Sequence, residues 1–468
     1  MTMQQALAQV RREFDEGVFA QTLARRVAVR SVSGPNADEA VLQSYYTDIL
    51  EPELAALGFA CRRIQNPAPG GSPFLLAERI ESAEALTVLT YGHGDVVPGY
   101  DDQWDPGLGP WEMALRDDAW YGRGVADNKG QHGVNLSALR AVLDARGGKL
   151  GYNVKALFEL GEERSSPGLR AVCAEQREAL SADLFLASDG PRVSAAQPTL
   201  FLGSRGGVVF ELSCKLREGG LHSGNWGGIM KNPAVILANA IGTLVDGWGR
   251  VQVKGLLPDG IPDSVREALG ALQVDSERLG RRIDLDWGEP GLSPAERLLG
   301  WNTLEVLTLA AGNPAKPVNA IPPEASAYLQ LRFVVGTDWR NVESLVRQHL
   351  DAAGYPEVTV RVVRGSPATR LDPAHPWVRW AKDAIAAVTG EAPAVNPNLG
   401  GTVPNDAFSD ILGLPTVWVP HSYPGCKQHA ANEHLPRSIV RQGLDMMVSV
   451  FWHLGEPEAQ AVAKAARG

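Results

Sequence analysis

A histidine and an aspartate separated by one glycine stand at the end of an apolar segment of the chain. Residues 85–90 predict a buried strand, and the run Tyr-Gly-His-Gly-Asp follows it directly. Because side chains alternate along a strand, His93 and Asp95 are expected to point to the same side. An imidazole that binds a metal ion is commonly oriented by such a carboxylate. By itself, the pair could equally be a hydrogen bond at a strand end.

Asp127 lies in a glycine-rich segment, residues 121–130, just before a predicted helix. An aspartate in this position is often an ordinary helix N-cap. A carboxylate also carries two oxygens with several lone pairs, so a single aspartate can bridge two cations. Both interpretations fit the sequence.

Glu162 and Glu163 follow the predicted strand at residues 153–160. Adjacent acidic residues usually form a solvated turn, but these two end an apolar strand. Neighbouring side chains on extended backbone diverge, so one carboxylate can face a metal ion while the other faces its water. We therefore expect Glu163 to be a ligand. Glu162 is expected to be the general base that passes a proton to the leaving nitrogen.

Asp189 and His429 complete the set of candidate ligands. Asp189 follows another predicted strand within Ser-Asp-Gly, for which the alternative is a simple turn. His429 lies in a loop rich in glycine and proline. In that loop His421, His434 and the less favoured thiolate of Cys426 are alternative ligands.

The donor count fits two cations. Each ion would receive three protein ligands and keep one position for a shared water, as a catalytic zinc site requires. Such ions lie roughly 3.5–4 Å apart and lower the pKa of the water toward ~7. Mixed nitrogen and oxygen ligation suits Zn²⁺ best, with Co²⁺ or Mn²⁺ as alternatives. The predicted ligands are His93, Asp127, Glu163, Asp189 and His429.

The predicted elements place these residues at one edge of a sheet. Strands and helices alternate in residues 1–200 and 370–468, which predicts an α/β domain with a mainly parallel sheet flanked by helices. Ligands of such sheets gather at the carboxyl ends of strands. Residues 201–369 alternate as half-exposed strands with two helices, which indicates an inserted α+β domain. Residues 13–60 are expected to be helical, and residues 255–293 to be an irregular insertion.

Composition excludes several classes of protein. The formal net charge is -10 and we find no basic stripe, which argues against nucleic acid as a partner. No apolar run reaches the roughly 18 residues of a membrane helix, and no signal-peptide core is visible. The four cysteines show no paired spacing, which favours reduced thiols in a cytoplasmic protein.

Five motifs together resemble a known family. They are His-Gly-Asp at 93–95, Tyr-Gly-Arg-Gly-x-x-Asp-x-Lys-Gly at 121–130, Gly-Glu-Glu at 161–163, Ser-Asp-Gly at 188–190 and His-x-x-Asn-Glu at 429–433. The set resembles the dinuclear zinc peptidases, which include carboxypeptidase G, aminoacylase-1, succinyl-diaminopimelate desuccinylase, acetylornithine deacetylase and carnosinase-type dipeptidases. The resemblance implies a homodimer in which the inserted domain, residues 201–369, is a lid and dimerisation domain. It also implies a cis peptide between Asp127 and Asn128.

The resemblance assigns further site residues. His222, in Leu-His-Ser-Gly, would reach the active site of the opposite subunit and stabilise the oxyanion. Asn319 and Arg332 would bind the substrate carboxylate, and Gly400 with Thr402 would line the substrate site. The family often has Asp-x-Arg where this chain has Gln-Leu-Arg, so an acid that would orient Arg332 is missing.

The resemblance implies hydrolysis of an amide bond in a small peptide by a water that bridges two zinc ions. The expected activity is that of a dipeptidase or a carboxypeptidase-like enzyme. The long insertion within residues 250–310 is closer to the carnosinase-like dipeptidases than to the short-lid enzymes. The alternatives are an N-acyl or N-carbamoyl amino acid amidohydrolase, a mononuclear exopeptidase, and a non-catalytic metal or amino-acid binding protein. Retention of Glu162 argues against the last of these.

Overall fold

The computed structural model describes residues 2–274 and 282–467, which form two compact units. Unit 1 comprises Met1–Gly203, Leu371–Asn396 and Val403–Gly468, and unit 2 comprises Ser204–Arg370 and Pro397–Thr402. Among the described residues, no helix combines the length and the apolar composition that a membrane span requires.

Unit 1 contains nine helices among its described residues, numbered here in chain order through both units. They are α1 (Met3–Asp15), α2 (Val18–Ala28), α3 (Glu39–Ser44), α4 (Glu51–Ala56), α5 (Lys129–Ala145), α6 (Leu169–Glu175), α11 (Pro376–Thr389), α12 (Arg437–Leu454) and α13 (Pro457–Arg467). Shorter helical turns are the π-helical Tyr45–Leu50 and Ala407–Ile411 and the 3₁₀ turns Glu162–Arg164 and Pro424–Cys426.

The strands of unit 1 form a large sheet and a small one. They are β1 (Ala60–Ile64), β2 (Phe74–Arg79), β3 (Thr87–His93), β4 (Ala114–Arg116), β5 (Ala119–Tyr121), β6 (Asn153–Glu159), β7 (Leu184–Ala187), β8 (Thr199–Phe201), β15 (Ala394–Asn396), β16 (Thr416–Trp418) and β17 (His434–Pro436). The large sheet has the order β1-β2-β6-β3-β7-β16-β8-β15, and the small one the order β17-β5-β4.

The centre of the large sheet is parallel. β6, β3, β7 and β16 run in one direction, while β1, β2 and the β16–β8 pair add antiparallel contacts. Every residue of β6 and β7 is buried, as expected for strands covered on both faces by helices. The predicted α/β fold class with a mainly parallel sheet is therefore confirmed.

The candidate ligands follow the carboxyl ends of these parallel strands. β3 ends at His93, β6 ends three residues before Glu162, and β7 ends two residues before Asp189. The chain after β16 leads into the loop that carries His429. Parallel direction brings all four ends to the same edge of the sheet.

The prediction that residues 13–60 are helical is confirmed for most of that range but is wrong for residues 29–38 and for its end. Helix α2 ends at Ala28, helices resume at Glu39, and β1 already begins at Ala60. Gly34 and Pro35 interrupt the helical pattern, and Val32 instead forms a bridge with Val96 beside the end of β3.

Unit 2 has helices α7 (Ser223–Trp226), α8 (Pro233–Leu244), α9 (Asp263–Gly270) and α10 (Val342–Ala352), with helical turns at Lys254–Leu256, Glu296–Gly300 and Trp339–Asn341. Its strands are β9 (Gly206–Lys215), β10 (Leu221–His222), β11 (Thr303–Ala310), β12 (Ala320–Ile321), β13 (Glu324–Phe333) and β14 (Thr359–Ser366). Helix α9 lies inside the stretch predicted to be irregular, and residues 275–281 of that stretch lie outside the described residues.

The main sheet of unit 2 is antiparallel, with the order β11-β13-β9-β14. Burial alternates along β13, and its buried residues pack against α8 and α10 through side chains such as Leu237 and Val346. The opposite face is partly exposed, which is the pattern expected of an α+β unit with one covered sheet face.

Candidate metal centre

His93 is held so that one ring nitrogen faces a carboxylate pair. Its Nδ1 lies 3.0 Å from the carbonyl oxygen of Asp95 and 3.3 Å from Oδ1 of that residue. Its Nε2 lies 3.1 Å from Oδ1 of Asp127 and 3.6 Å from Oδ2 of Asp189. Because Nδ1–H donates to Asp95, the lone pair of Nε2 is available to a cation between the two other carboxylates.

A second imidazole–carboxylate cluster shares Asp127 with the first. The Nε2 atom of His429 lies 3.1 Å from Oδ2 of Asp127 and 3.0 Å from Oε2 of Glu163. The side chain of His429 is 56% exposed, whereas that of His93 is fully buried. The second cluster is therefore the one open to solvent, and Asp127 presents one oxygen to each cluster.

The two groups of side chains are suited to hold cations. In the described part of the chain, the His, Cys, Asp and Glu side chains that converge within ligand range are His93, Asp127 and Asp189 in one group and Asp127, Glu163 and His429 in the other. Imidazole nitrogen with carboxylate oxygen is a donor set that borderline divalent ions accept.

The alternatives raised by the sequence do not occupy these positions. The N-cap of α5 is Asn128, so Asp127 is not an N-cap residue. His434 stacks on Tyr121, and His421 is fully buried elsewhere. Burial also raises the pKa of the Cys426 thiol to about 12, which disfavours a thiolate. The peptide between Asp127 and Asn128 is cis, as the resemblance implies.

Asp95 also fixes the turn that carries the two glutamates. Its Oδ1 accepts the backbone N–H of Glu162 at 3.1 Å, and its Oδ2 accepts that of Glu163 at 3.2 Å. The hydroxyl of Ser33 donates to the same Oδ2 at 2.7 Å. The backbone here is a 3₁₀ turn and not extended as predicted, because both N–H groups turn toward one carboxylate. The anchoring of this turn was not foreseen from sequence.

Glu433 is a second anchor that sequence reasoning passed over. It is fully buried, and its carboxylate accepts the backbone N–H groups of Gly124, Ala126 and Asp127. Its Oε2 also lies 2.8 Å from Nη1 of the buried Arg123. The contact fixes the backbone that leads to Asp127. Its only sequence signal is the Asn-Glu that ends the fifth motif.

Packing several carboxyl groups together changes their protonation. Burial raises the pKa of Asp189 to about 6 and that of Glu163 to about 7, and it raises the pKa of Glu162 well above its usual value. Burial also acts on Asp127, but hydrogen bonds with His429 and His93 outweigh it and keep this pKa below its usual value. The two histidines compensate part of the negative charge, which divalent cations would otherwise neutralise.

The remaining predicted residues lie in unit 2, where the structure brings them into two groups. His222 pairs with Ala320 between β10 and β12, and the backbone N–H of Ser223 donates to the carbonyl of Asn319 at 2.9 Å. Nη1 of Arg332 lies 3.3 Å from Oγ1 of Thr402. Gly400 lies two residues before Thr402 in the segment Pro397–Thr402.

A parallel-sheet edge that carries two imidazole–carboxylate clusters around one shared aspartate defines a metal-dependent hydrolase. The chain belongs to Peptidase family M20/M25/M40, whose sequence pattern matches residues 89–453. The predicted family and the predicted metal-dependent peptidase are thereby confirmed.

Individual relatives span most of the chain. A Beta-Ala-His dipeptidase of Mus musculus is 27% identical and covers 94% of this chain and 93% of its own length. A Cysteinylglycine-S-conjugate dipeptidase of Corynebacterium striatum is 27% identical and covers 75% of this chain and 76% of its own length. The solved M20 family metallo-carboxypeptidase of Sulfolobus solfataricus has a TM-score of 0.78 at 26% identity, covering 93% of this chain and 99% of that one.

Proposed function

We propose that this chain is a dipeptidase that binds two divalent cations per subunit. The observation that carries the proposal is the position of Asp127, whose two carboxylate oxygens each lie 3.1 Å from a different histidine. His93 and Asp189 would complete one site, and Glu163 and His429 the other. Zn²⁺ suits this nitrogen and oxygen donor set best, and Co²⁺ and Mn²⁺ are the alternatives. When bound, the ions polarise the substrate carbonyl and make a water acidic enough to attack at neutral pH.

Glu162 is the proposed general base. Its backbone is anchored on Asp95, and its half-buried side chain has a pKa raised well above the usual value. A carboxylate of raised pKa accepts a proton from the attacking water more readily and can then donate it to the departing amine nitrogen. In this proposal Asp95 positions both Glu162 and His93 and touches no reacting atom.

Residues of unit 2 are proposed to recognise the substrate. Arg332, whose guanidinium lies beside the hydroxyl of Thr402, is suited to bind a free carboxylate bidentately. Asn319 and Gly400 would line the same subsite, as the family resemblance implies. His222 would donate a hydrogen bond to the oxyanion that forms at the scissile carbonyl.

Dipeptides are the proposed substrate class. Two relatives that cover three quarters or more of the chain are named as dipeptidases, one for Beta-Ala-His and one for Cysteinylglycine-S-conjugates. A single guanidinium, that of Arg332, would hold the carboxylate of the substrate and so favour short substrates with a free C-terminus. The N-acyl amino acid and binding-protein alternatives are not favoured by these relatives.

We also propose a homodimer in the cytoplasm. β11 is an edge strand of the unit 2 sheet and exposes Val306, Leu307 and Leu309 by 42%, 48% and 55%. An exposed apolar edge strand invites pairing with another strand, and a second copy of the chain would satisfy it. The four cysteines are free, which fits a reducing compartment.

The deciding experiment combines metal analysis with a substrate panel. Metal-free protein would be reconstituted with Zn²⁺, Co²⁺ or Mn²⁺, and the bound metal counted per chain. Dipeptides, N-acetyl amino acids and N-carbamoyl amino acids would then be tested at equal concentration. We expect two ions per chain and hydrolysis of dipeptides at the highest kcat/KM. One ion per chain would favour a mononuclear site, and preference for the acylated amino acids would overturn the dipeptidase assignment.

A further inference from the structure

Three buried polar side chains form a hydrogen-bond chain that ends beside the candidate ligands. The hydroxyl of Tyr45 lies 2.7 Å from Nε2 of His132, and Nδ1 of His132 lies 2.9 Å from Oδ1 of Asn128. All three side chains are at most 1% exposed. None of them belongs to the ligand set or to the proposed proton transfer.

The amide of Asn128 contacts the backbone at two strand ends. Its Oδ1 accepts the backbone N–H of His93 at 3.4 Å, and its Nδ2 donates to the carbonyl of Ser188 at 2.8 Å. Asn128 itself directly follows Asp127 in the chain. The side chain of Asn128 therefore contacts the backbone of His93 and that of the residue before Asp189, and Asn128 itself is joined to Asp127 by a peptide bond.

These backbone contacts also determine which way the amide points. A backbone N–H can only donate and a backbone carbonyl can only accept, so Oδ1 must face His93 and Nδ2 must face Ser188. Nδ1 of His132 must then be the donor to Oδ1 of Asn128. In the neutral ring, Nε2 accepts the hydroxyl proton of Tyr45. Burial, together with the positive charge of Arg26, keeps the pKa of His132 well below its usual value.

The glycines on either side of His93 leave space for the side chains of this hydrogen-bond chain. A Cβ at Gly92 would lie 3.0 Å from Cβ of His132 and 3.1 Å from the ring of Phe158. A Cβ at Gly94 would overlap the ring of Tyr45. The histidine of the first motif thus lies between two glycines, one packed against His132 and the other against Tyr45. Tyr45 is presented from the first residue of a π-helical turn, an irregularity often found near functional sites.

We propose that Asn128 is a positioning residue for the metal centre, and that His132 and Tyr45 hold its amide in the orientation that fixes His93, Asp127 and Asp189. The inference rests on the metal sites of the proposed function. It assigns the polar residues at the start of α5 to the cation nearest His93. Residues that orient metal ligands typically contribute about 10–100-fold to metal affinity.

The test compares the affinity for Zn²⁺ of four variants with substitutions of similar shape, one of which is a control. His132→Phe and Tyr45→Phe keep the aromatic packing but remove the hydrogen bonds of the chain. Tyr152→Phe is the matched control, because the Tyr152 hydroxyl is equally buried and donates to the carbonyl of Phe451 at 2.9 Å, away from the ligands. Asn128→Leu removes the amide that ends the hydrogen-bond chain beside the candidate ligands. Zinc would be titrated in competition with a chromophoric chelator, with the melting temperature recorded for each metal-free variant.

The expected result is a loss of about 10–100-fold in affinity at one of two zinc sites for Asn128→Leu and His132→Phe, a smaller loss for Tyr45→Phe, and wild-type affinity for Tyr152→Phe. Dipeptide hydrolysis by His132→Phe should recover as the zinc concentration rises, whereas that of Tyr152→Phe should not depend on added zinc.

Three outcomes would overturn the inference. The positioning role fails if folded His132→Phe and Tyr45→Phe bind zinc as tightly as Tyr152→Phe. It fails equally if all variants lose affinity in proportion to their loss of melting temperature. Failure of the wild-type protein to bind Zn²⁺, Co²⁺ or Mn²⁺ would remove the metal sites themselves, and with them both proposals. Zinc binding without dipeptide hydrolysis would overturn only the proposed activity.

Discussion

At the scale of single residues, the two adjacent glutamates are separated by what surrounds them. Oε2 of Glu163 lies 3.0 Å from Nε2 of His429, close enough for both atoms to bind the cation of the proposed second site. Glu162 belongs to the same 3₁₀ turn. The nearby negative charges of Asp189, Glu163 and Asp127 disfavour the ionised form of its carboxyl group. A carboxyl in such surroundings exchanges a proton readily, which supports the proposed general-base function of Glu162.

Glu162→Gln should therefore leave both metals bound while turnover falls by about 10²–10⁴-fold. The amide has the shape of the carboxylate but cannot accept a proton from water. The measurements are kcat for a good dipeptide substrate and the metal content per chain. Glu163→Gln is the matched control, since it should weaken metal binding at the site of His429. Wild-type hydrolysis by the Glu162 variant would show that another group is the base.

The affinity for zinc should fall as the pH is lowered, because the cation displaces protons from its ligands. The pKa of Asp189, raised to about 6, and that of Glu163, raised to about 7, mean that both carboxyls hold protons below those values. Hydrogen bonds with Asp127 and Glu163 raise the pKa of His429 to about 11, so this ring also releases a proton on binding.

We expect apparent affinity to fall about tenfold per pH unit near pH 8 and more steeply below about pH 7. Titration calorimetry in two buffers of different ionisation enthalpy would count the protons released at each pH. A flat affinity between about pH 6 and pH 8, with no proton release, would contradict this protonation of the site.

At the scale of elements, the loop after β16 is joined to the segment before α5 through one buried carboxylate. Glu433 accepts three backbone N–H groups and pairs with Arg123, and it lies directly before β17, which pairs with β5. The same loop carries His429. Glu433 therefore helps to fix the relative positions of the two segments that carry Asp127 and His429, two members of the second cluster.

Glu433→Gln should destabilise unit 1 by about 3–5 kcal/mol, because it leaves the guanidinium of Arg123 buried without a counter-charge. The amide –NH₂ of the glutamine would also face a backbone N–H, and it cannot accept a hydrogen bond from that group. Thermal unfolding of the metal-free protein measures the effect. Asp118→Asn, which removes the exposed partner of Arg437, should leave the melting temperature nearly unchanged. Equal melting temperatures for the two variants would show that Glu433 is not an anchor.

Sequence patterns predicted the long elements better than the contacts between them. The apolar runs of β3 and β7 and the periodicity of α12 give their positions from local composition alone. β4, β5 and β17 have three residues each and were missed, because they are held by pairing with one another, and β17 lies far from β5 in the chain. The 3₁₀ turn of Glu162 was likewise missed, since it depends on acceptance of its N–H groups by Asp95.

The same limit applies within the site. Residue types and motif order pointed to the five side chains that lie together in the structure, because each motif carries its ligand at a strand end. The anchors Asn128, His132 and Glu433 have no separate signal, since an asparagine, a histidine and a glutamate near a helix or loop have many ordinary explanations. Only their buried hydrogen bonds distinguish them.

At the scale of the whole molecule, the exposed edge strand β11 of unit 2 is the proposed interface of the homodimer. Replacing Leu309 with Lys would put a charge on β11 where an apolar surface is exposed by 55%. The expected result is a monomer in light scattering at a concentration at which the wild-type protein is a dimer. Thr359→Lys on β14, the opposite edge strand, is the control and should leave the assembly unchanged. A Leu309→Lys variant that stays dimeric would exclude this edge as the interface.

If His222 acts on the active site of the partner subunit, two inactive variants should restore each other. In a mixed dimer of His222→Ala with Glu162→Gln, one of the two active sites combines an intact Glu162 with an intact His222 of the partner subunit. Random mixing makes about half of the dimers mixed, so activity near one quarter of the wild-type value is expected when neither parent is active. Mixed dimers would be isolated with two different affinity tags, so that their presence is verified independently of activity. If verified mixed dimers are no more active than the parents, the histidine does not act in trans. If the two parents recombine into no dimer at all, the proposed assembly itself is wrong.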